Sequence, residues 1–119
     1  MANKKQPFDL LLTSTAAAGS NDLRTKPVGP GWLRCVQRVA VENETTLYTD
    51  LRILKAGRGA EFLVAEEDNP AAATLYWIDT PVYLMEGQYL VARLSGCTAG
   101  DVIKVYVTGW KAQTTEIAP

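Results

Sequence analysis

The sequence contains no histidine. Histidine is the commonest general base and the commonest metal ligand, so its absence removes the simplest route to either kind of site. A Ser–His–Asp arrangement is excluded. Acidic residues are numerous, but no spacing singles out a pair of carboxylates suited to glycoside hydrolysis. We therefore expect no enzymatic activity and no catalytic residues.

Cysteine is also scarce, with only Cys35 and Cys97 in the chain. Each lies in or beside a stretch that alternates between apolar and polar residues, so we expect two small, buried apolar side chains. The sequence leaves open whether they form a disulfide, because their spacing along the chain does not fix the distance between them. They form no Cys-x-x-Cys pair, which argues against a zinc or redox site. We expect no metal and no cofactor.

Long apolar runs are missing as well. Near the N-terminus the longest uncharged apolar stretch is Leu10–Leu12. A bilayer crossing needs roughly 18 such residues, and a signal peptide also needs a longer apolar core. We expect a protein made in the cytoplasm, not secreted by the general route and without a membrane partner.

The chain does contain short alternations of apolar and polar residues, separated by turn residues. A period of two predicts half-buried strands, and the spacing predicts about eight of them in a single domain. We expect an all-β antiparallel sandwich, jelly-roll-like because the immunoglobulin pattern of Cys, Trp and Cys is absent. The clearest alternations are Leu33–Glu42, Leu51–Leu54, Glu61–Ala65, Val82–Leu84, Tyr89–Leu94 and Val102–Thr108.

Inward-facing residues of these alternations form the predicted core. In the longest alternation, Leu33, Cys35, Gln37, Val39 and Val41 share one face if the strand is regular. The residues expected to be largely buried are Val39, Val41, Leu51, Ile53, Val64, Leu90, Ile103, Val105 and Val107.

The first thirty residues have a different character. Residues 1–30 contain one possible short strand, Phe8–Leu12, followed by a small, polar stretch and then by Pro27 and Pro30. Such a segment is a poor core former, and we predict an extended arm or long loop, much of which lies against a neighbouring subunit or a capsid surface. Residues 31–110 then form the sandwich, and residues 111–119 form a C-terminal tail.

The N-terminal region also differs from the rest of the chain in net charge. Residues 1–38 contain six basic and two acidic residues, a net charge of +4, whereas residues 39–119 contain six basic and eleven acidic residues, a net charge of −5. A basic N-terminal region can dock on an acidic surface, including that of another copy. The candidate contact residues are Lys4, Lys5, Arg24 and Lys26. The acidic remainder lacks basic residues interleaved with aromatic ones, so we expect no nucleic-acid binding.

Two loops invite comparison with ligand sites. Residues 66–69, Glu-Glu-Asp-Asn, are the best calcium candidates, but their spacing fits no EF-hand, so we favour a solvated acidic loop. Residues 55–59 are glycine-rich, but they lack the Gly-Lys-Ser/Thr ending of a phosphate-binding loop. We predict a hairpin connection there.

The three tryptophans differ in their surroundings. Trp77 lies in a short aromatic strand and is predicted to be in the core. Trp32 and Trp110 flank the ends of strands, where an exposed ring can stack on a sugar or fill a pocket of a partner. Both are candidate interface residues, although either could instead cover the end of the core.

Several strings resemble those of small β-sandwich proteins encoded among bacteriophage head genes. The resemblance spans residues 31–110 and rests on turn and strand patterns. The matching strings are Val39–Thr45, Tyr76-Trp77, Glu86-Gly87 leading into Leu90–Arg93, Gly100-Asp101 and Gly109-Trp110.

This resemblance implies a structural virion component, most often a decoration (cement) protein bound outside an icosahedral capsid as a trimer. Its partners would be further copies of itself and the major capsid protein. The alternative is a carbohydrate-binding or adhesion module that uses Trp32 or Trp110 with nearby Asp or Asn residues, because the Gly-Asp opening of a strand also occurs in such sandwiches.

Overall fold

Nine strands run through the computed structural model, which describes residues 5–114. Almost every alternation in the sequence corresponds to one of them. The strands are β1 (Gln6–Thr15), β2 (Gly19–Arg24), β3 (Trp32–Asn43), β4 (Asp50–Gly57), β5 (Ala60–Asp68), β6 (Tyr76–Ile78), β7 (Val82–Leu84), β8 (Tyr89–Cys97) and β9 (Val102–Gln113).

The strands pair into two antiparallel sheets. The front sheet has the order β1-β9-β3-β6, with β7 also paired to β3, and the back sheet has the order β2-β8-β4-β5. Most connections cross from one sheet to the other, whereas β4 and β5 form a hairpin through Arg58 and Gly59, both with positive φ. The prediction of an all-β antiparallel sandwich is confirmed, and the strand order is consistent with a jelly roll.

The core lies between the two sheets and follows the predicted alternation. All but one of the nine residues expected to be largely buried are buried, and the exception, Val64, is half-buried at the edge strand β5. Full burial of a Val, Leu or Ile side chain stabilises the fold by about 1.5–3 kcal/mol. The hydrophobic effect therefore accounts for the inward positions of β3, β4, β8 and β9.

A β-bulge makes β3 depart from a regular alternation. The pairing of β3 with β9 shifts between Val36 and Arg38, so that Gln37 is the extra residue. The inward face consequently passes from Val36 to Val39, and the prediction that Gln37 faces the core is wrong. A Cβ at Gly109 would lie 1.9 Å from the carbonyl oxygen of Cys35. The bulge thus requires glycine at this position.

Residues 5–30 belong to the sandwich, and the prediction of an arm that contributes little to it is wrong. β1 pairs with β9 from Gln6 to Thr15, and β2 pairs with β8. Leu23 and Val28 are buried in the core. The pattern was obscured because Leu11, which faces outward, lies between the inward-facing residues Leu10 and Leu12.

Two further boundaries differ from the predictions. β9 continues to Gln113, so the sandwich does not end at residue 110, and residues 115–119 of the predicted tail lie outside the described residues. The acidic segment predicted as a loop is the end of β5, because Glu66, Glu67 and Asp68 all pair with β4. Cys35 and Cys97 are both buried and free, but only Cys97 lies in the core between the sheets, whereas Cys35 is buried on the outer side of the front sheet.

A buried cluster of polar side chains joins the turns before β4 and β9 through hydrogen bonds. The Asp101 carboxylate accepts hydrogen bonds from Asn43 Nδ2 (2.9 Å), Thr46 Oγ1 (2.7 Å) and the Thr98 N–H (2.8 Å). Burial acts to raise the pKa of Asp101, but these hydrogen bonds outweigh it and hold the pKa below the usual value. We assign the cluster a structural role, since its polar atoms satisfy one another.

Candidate interaction surfaces

One open edge of the sandwich lies between β1 and β2. The inward side chains Phe8, Leu10 and Leu12 of β1 pack against the core and floor a cleft of about 400 Å³. Four cationic residues and one acidic residue, Asp9, complete the lining of this cleft. We call the four cationic residues the basic edge: Arg24, Lys26, Arg34 and Lys111.

Arg34 and Lys111 are neighbours on the inner side of the front sheet, directly opposite each other on β3 and β9. Arg34 Nη1 donates to the Lys26 carbonyl (3.2 Å), and its guanidinium lies 5.4 Å from the centre of the Phe8 ring. Desolvation lowers the pKa of Arg34. Lys111 Nζ lies 5.6 Å from the centre of the Trp32 ring.

No carboxylate within residues 5–114 forms an ion pair with Lys26, Arg34 or Lys111. Like charges directly opposite each other across two strands destabilise a sheet. The basic edge therefore holds more positive charge than the described part of the chain balances.

Within residues 5–114, Arg24 is the one member of the basic edge with a carboxylate partner. Asp22 accepts from Arg24 Nη2 (3.2 Å), from Arg93 Nε (2.8 Å) and from Arg93 Nη2 (3.1 Å). The hydrogen bond from Arg93 is the main reason that the pKa of Asp22 lies below its usual value, against the opposing effect of burial. Arg93 also forms an ion pair with Glu61, so that this side chain of β8 contacts both β2 and β5 on the outer face of the back sheet.

The opposite open edge lies between β5 and β6 and is acidic. Strand β5 contains four acidic residues, all exposed, and no lysine or arginine. Its apolar residues Phe62 and Leu63 are 61% and 56% exposed. We call this surface the acidic edge: Phe62, Leu63, Glu66, Glu67 and Asp68.

Part of the acidic edge is the segment singled out as a possible calcium site. The structure brings Glu66 and Asp68 together with Asp50, with one carboxylate oxygen of each within 4.8 Å of the others. Arg52 Nε lies 3.0 Å from Asp50 and also binds Glu66, so a guanidinium supplies the positive charge. Asn69 lies after the strand with positive φ. Such a cluster does not by itself constitute a metal site.

The outer face of the front sheet carries exposed apolar side chains in two rows. Each row crosses the sheet through residues that lie opposite one another on neighbouring strands, and each contains one small, buried residue. The first row is Leu11, Tyr106, Ala40 and Trp77, and the second is Trp110, Cys35 and Tyr83. The prediction that Trp77 belongs to the core is wrong, because its side chain points outward and is 55% exposed. We call this surface the aromatic face: Leu11, Trp77, Tyr83, Tyr106 and Trp110.

Polar groups hold the rings of the aromatic face in place. Tyr83 and Trp110 meet edge to face, with ring centres 6.5 Å apart, and Lys5 Nζ lies 4.4 Å from the centre of the Trp110 ring. The Arg38 guanidinium lies 4.9 Å from the centre of the Trp77 ring. Each such cation–π contact contributes about 0.5–1 kcal/mol at an exposed site. The face is thus a fixed surface on a rigid sheet.

The residues predicted as an interface are divided between these surfaces. Lys5 and Trp110 meet on the aromatic face, whereas Arg24, Lys26 and Trp32 lie at or beside the basic edge, and Lys4 lies outside the described residues. The sequence reasoning missed Arg34, Lys111 and Trp77. Continuing the alternation of β9 past Gly109 would have placed Lys111 on the inner side of the sheet.

The described residues include no helix with the length and apolar character needed to cross a membrane. Comparison of the chain with protein-family models and with curated proteins finds no match.

Proposed function

We propose that the chain is a non-enzymatic structural protein of a phage virion, of the capsid decoration (cement) type. It is made in the host cytoplasm and stabilises the head through contacts with further copies of itself, most simply as a trimer, and with the major capsid protein. Neither contact requires a catalytic group, a metal or a cofactor.

The aromatic face is the observation that carries this proposal. Its exposed rings lie on one side of one sheet, in two rows separated by Asp9, Thr108 and Arg38, and exposed apolar side chains grouped on a surface mark interaction sites. A sheet face presents these rings on a rigid, gently twisted surface, which suits docking on a larger assembly. The resemblance of residues 31–110 to small sandwich proteins of phage heads supports the choice of a capsid as that assembly.

The proposal is tested on purified virions from a host that carries the gene. The protein should co-migrate with heads in a density gradient and rebind to heads stripped of it. The double variant Trp77→Ser/Tyr106→Ser should rebind at least tenfold more weakly, because it removes both rings of one row of the aromatic face. Leu47→Ser is the matched control, since Leu47 is exposed but lies elsewhere. Absence from heads, or equal rebinding of both variants, would contradict the proposal.

A carbohydrate-binding module is the second candidate function. The edge-to-face pair Tyr83 and Trp110 is accessible, and Asp9 lies on the same face with its carboxylate 3.3 Å from the Tyr106 hydroxyl. Aromatic rings beside polar groups suit sugar stacking. Trp32 is the weaker candidate of the predicted pair, because it packs against the core and beneath Lys111. Glycan-array binding that Trp110→Ala abolishes would favour this function.

A further inference from the structure

Two long strands of the sandwich each have one unpaired edge. β1 has ten residues and borders the front sheet, and β5 has nine residues and borders the back sheet. The other border strands are shorter, with six residues in β2 and three each in β6 and β7. A long border strand presents a row of unpaired N–H and C=O groups to which another strand can add.

The surfaces beside these two strands have opposite charge. At the basic edge, beside β1, Lys26, Arg34 and Lys111 have no ion-pair partner within residues 5–114. At the acidic edge, Glu67 and Asp68 likewise form no ion pair with a cation of the described chain. Each edge thus holds the charge that the other lacks, and such complementarity selects partners and speeds their encounter.

The two edges are also complementary in shape. The cleft beside β1 measures about 400 Å³ and has an apolar floor of Phe8, Leu10 and Leu12. On β5, Phe62 and Leu63 project into solvent. A side chain of the size of Phe62 fits within the volume of this cleft, and its burial there would remove apolar surface from water.

We infer that two copies of the chain associate through different edges, with β5 of one copy adding as a strand beside β1 of the next. Glu67, on the inner side of β5, then faces Lys26 and Lys111 of the neighbouring copy, Asp68 adds negative charge on the other face of the strand, and Phe62 enters the cleft. The contact is head-to-tail, so repetition closes a ring when the rotation permits it. A trimer is the smallest such ring. The inference depends on the self-association in the proposed function but not on the virion assignment.

Charge-reversal variants test the contact in solution. The basic-edge variant is Lys26→Glu/Lys111→Glu, and the acidic-edge variant is Glu67→Lys/Asp68→Lys. Because a head-to-tail contact uses one edge from each copy, each variant alone should associate at least tenfold more weakly than the wild type. An equimolar mixture should associate again, because the acidic edge of the first variant and the basic edge of the second remain intact.

A matched control carries the same charge change as the acidic-edge variant, but away from both edges. Glu44→Lys/Glu86→Lys alters two exposed acidic residues in loops and should associate like the wild type. Sedimentation velocity measures each sample, and circular dichroism verifies folding. A wild type that stays monomeric at its highest soluble concentration would overturn the inference, as would single variants that associate normally or a mixture that stays monomeric.

A second measurement needs no variant. Amide hydrogen exchange of the wild type, compared between dilute and concentrated samples, should slow in β1 and β5 as the oligomer forms. Slowing confined to the aromatic face would contradict the edge contact and indicate face-to-face pairing. Binding of a poly-glutamate peptide by a monomeric wild type would also contradict it, because the basic edge would then accept an acidic segment of another protein. Virion content is measured separately, so the virion assignment can fail while this contact stands.

Discussion

The two open edges of the sandwich both contain a long border strand with unpaired hydrogen-bonding groups, but they carry opposite charges. At each edge, one long strand leaves its hydrogen-bonding groups unpaired above a partly open core. The basic edge surrounds its cleft with lysine and arginine, and the acidic edge lines its strand with glutamate and aspartate. Charge on an edge strand opposes pairing with an identical edge. Opposite charges on the two edges permit pairing of unlike edges, which gives the association a direction.

Removing residues 1–30 should have the largest effect, because it deletes β1 and β2 and with them one of the two open edges. Burial of Leu23 and Val28 alone contributes about 1.5–3 kcal/mol each, and β9 would lose its β1 partner. With a total stability of only about 5–15 kcal/mol for a domain, we expect the truncated chain to lose cooperative unfolding. Thermal denaturation followed by circular dichroism measures this. A truncated chain with an intact transition would restore the interpretation of residues 1–30 as an arm.

Acid should destabilise the intact protein through Asp22, which partners Arg24 of the basic edge. The pKa of Asp22 is lower in the folded state than its ordinary value of 3.8, so the unfolded chain binds this proton first as the pH falls. The stabilisation is therefore complete above about pH 4 and is lost as the pH falls through the folded-state pKa. Urea denaturation between about pH 7 and pH 2 measures the slope.

Asp22→Asn isolates the contribution of Asp22, since the variant cannot titrate there. We expect it to be less stable than the wild type at neutral pH and to show a smaller loss of stability in acid. An equal loss in both proteins would assign the acid sensitivity to other carboxylates, such as Asp101, whose pKa is also lowered.

Tyr48 offers a gain in stability near the acidic edge. Its side chain is buried, and its hydroxyl has no hydrogen-bond partner within the described residues. Burial is the main cause of its raised pKa, with smaller effects from Tyr76 and others, including Glu67. Tyr48→Phe removes an unsatisfied polar group, and we expect it to stabilise the fold by about 1 kcal/mol. A loss of stability in urea denaturation would mean that the hydroxyl has a partner, such as an ordered water.

The repulsion between neighbouring cations at the basic edge predicts a smaller increase in stability when one of them is removed. Lys111→Met removes one of two like charges that face each other across β3 and β9 while preserving the apolar stem, and it should stabilise the monomer by about 0.5 kcal/mol. Asp68→Asn is the counterpart at the acidic edge, where Asp68 lies close to Asp50 and Glu66. Denaturation at low protein concentration measures both variants. A destabilised Lys111→Met variant would show that its contact with Trp32 outweighs the repulsion.

The alternation of residues such as Val39, Val105 and Val107 was enough to predict the sandwich and most of its core. The prediction failed where a tertiary contact overrides the alternation. Gln37 is a bulge that depends on the close approach of Gly109, and the two residues are distant in sequence. Trp77 is exposed because its neighbours Tyr76 and Ile78 take the inward positions of β6, which leaves Trp77 on the outer face.

The two edges could be predicted only in part. The charge asymmetry was evident, and it singled out Arg24 and Lys26, which both lie at the basic edge. The alternation of β9 indicates which side of the sheet Lys111 faces, but its position beside Arg34 and the other cations depends on the pairing of β9 with both β1 and β3. The acidic segment appeared to be a loop because strands rarely contain three successive acidic residues; pairing of Glu66 with Arg52 keeps it in the sheet.

The salt dependence of self-association tests the central claim most directly, because it uses the intact chain and only the charges of the edges. Sedimentation velocity of the wild type should show association at low ionic strength that weakens steadily as salt is added, since salt screens exposed charges over about 10 Å at 0.1 M. The account predicts this weakening and its loss in the charge-reversal variants. Association that salt leaves unchanged or strengthens would contradict it and identify the aromatic face as the contact between copies.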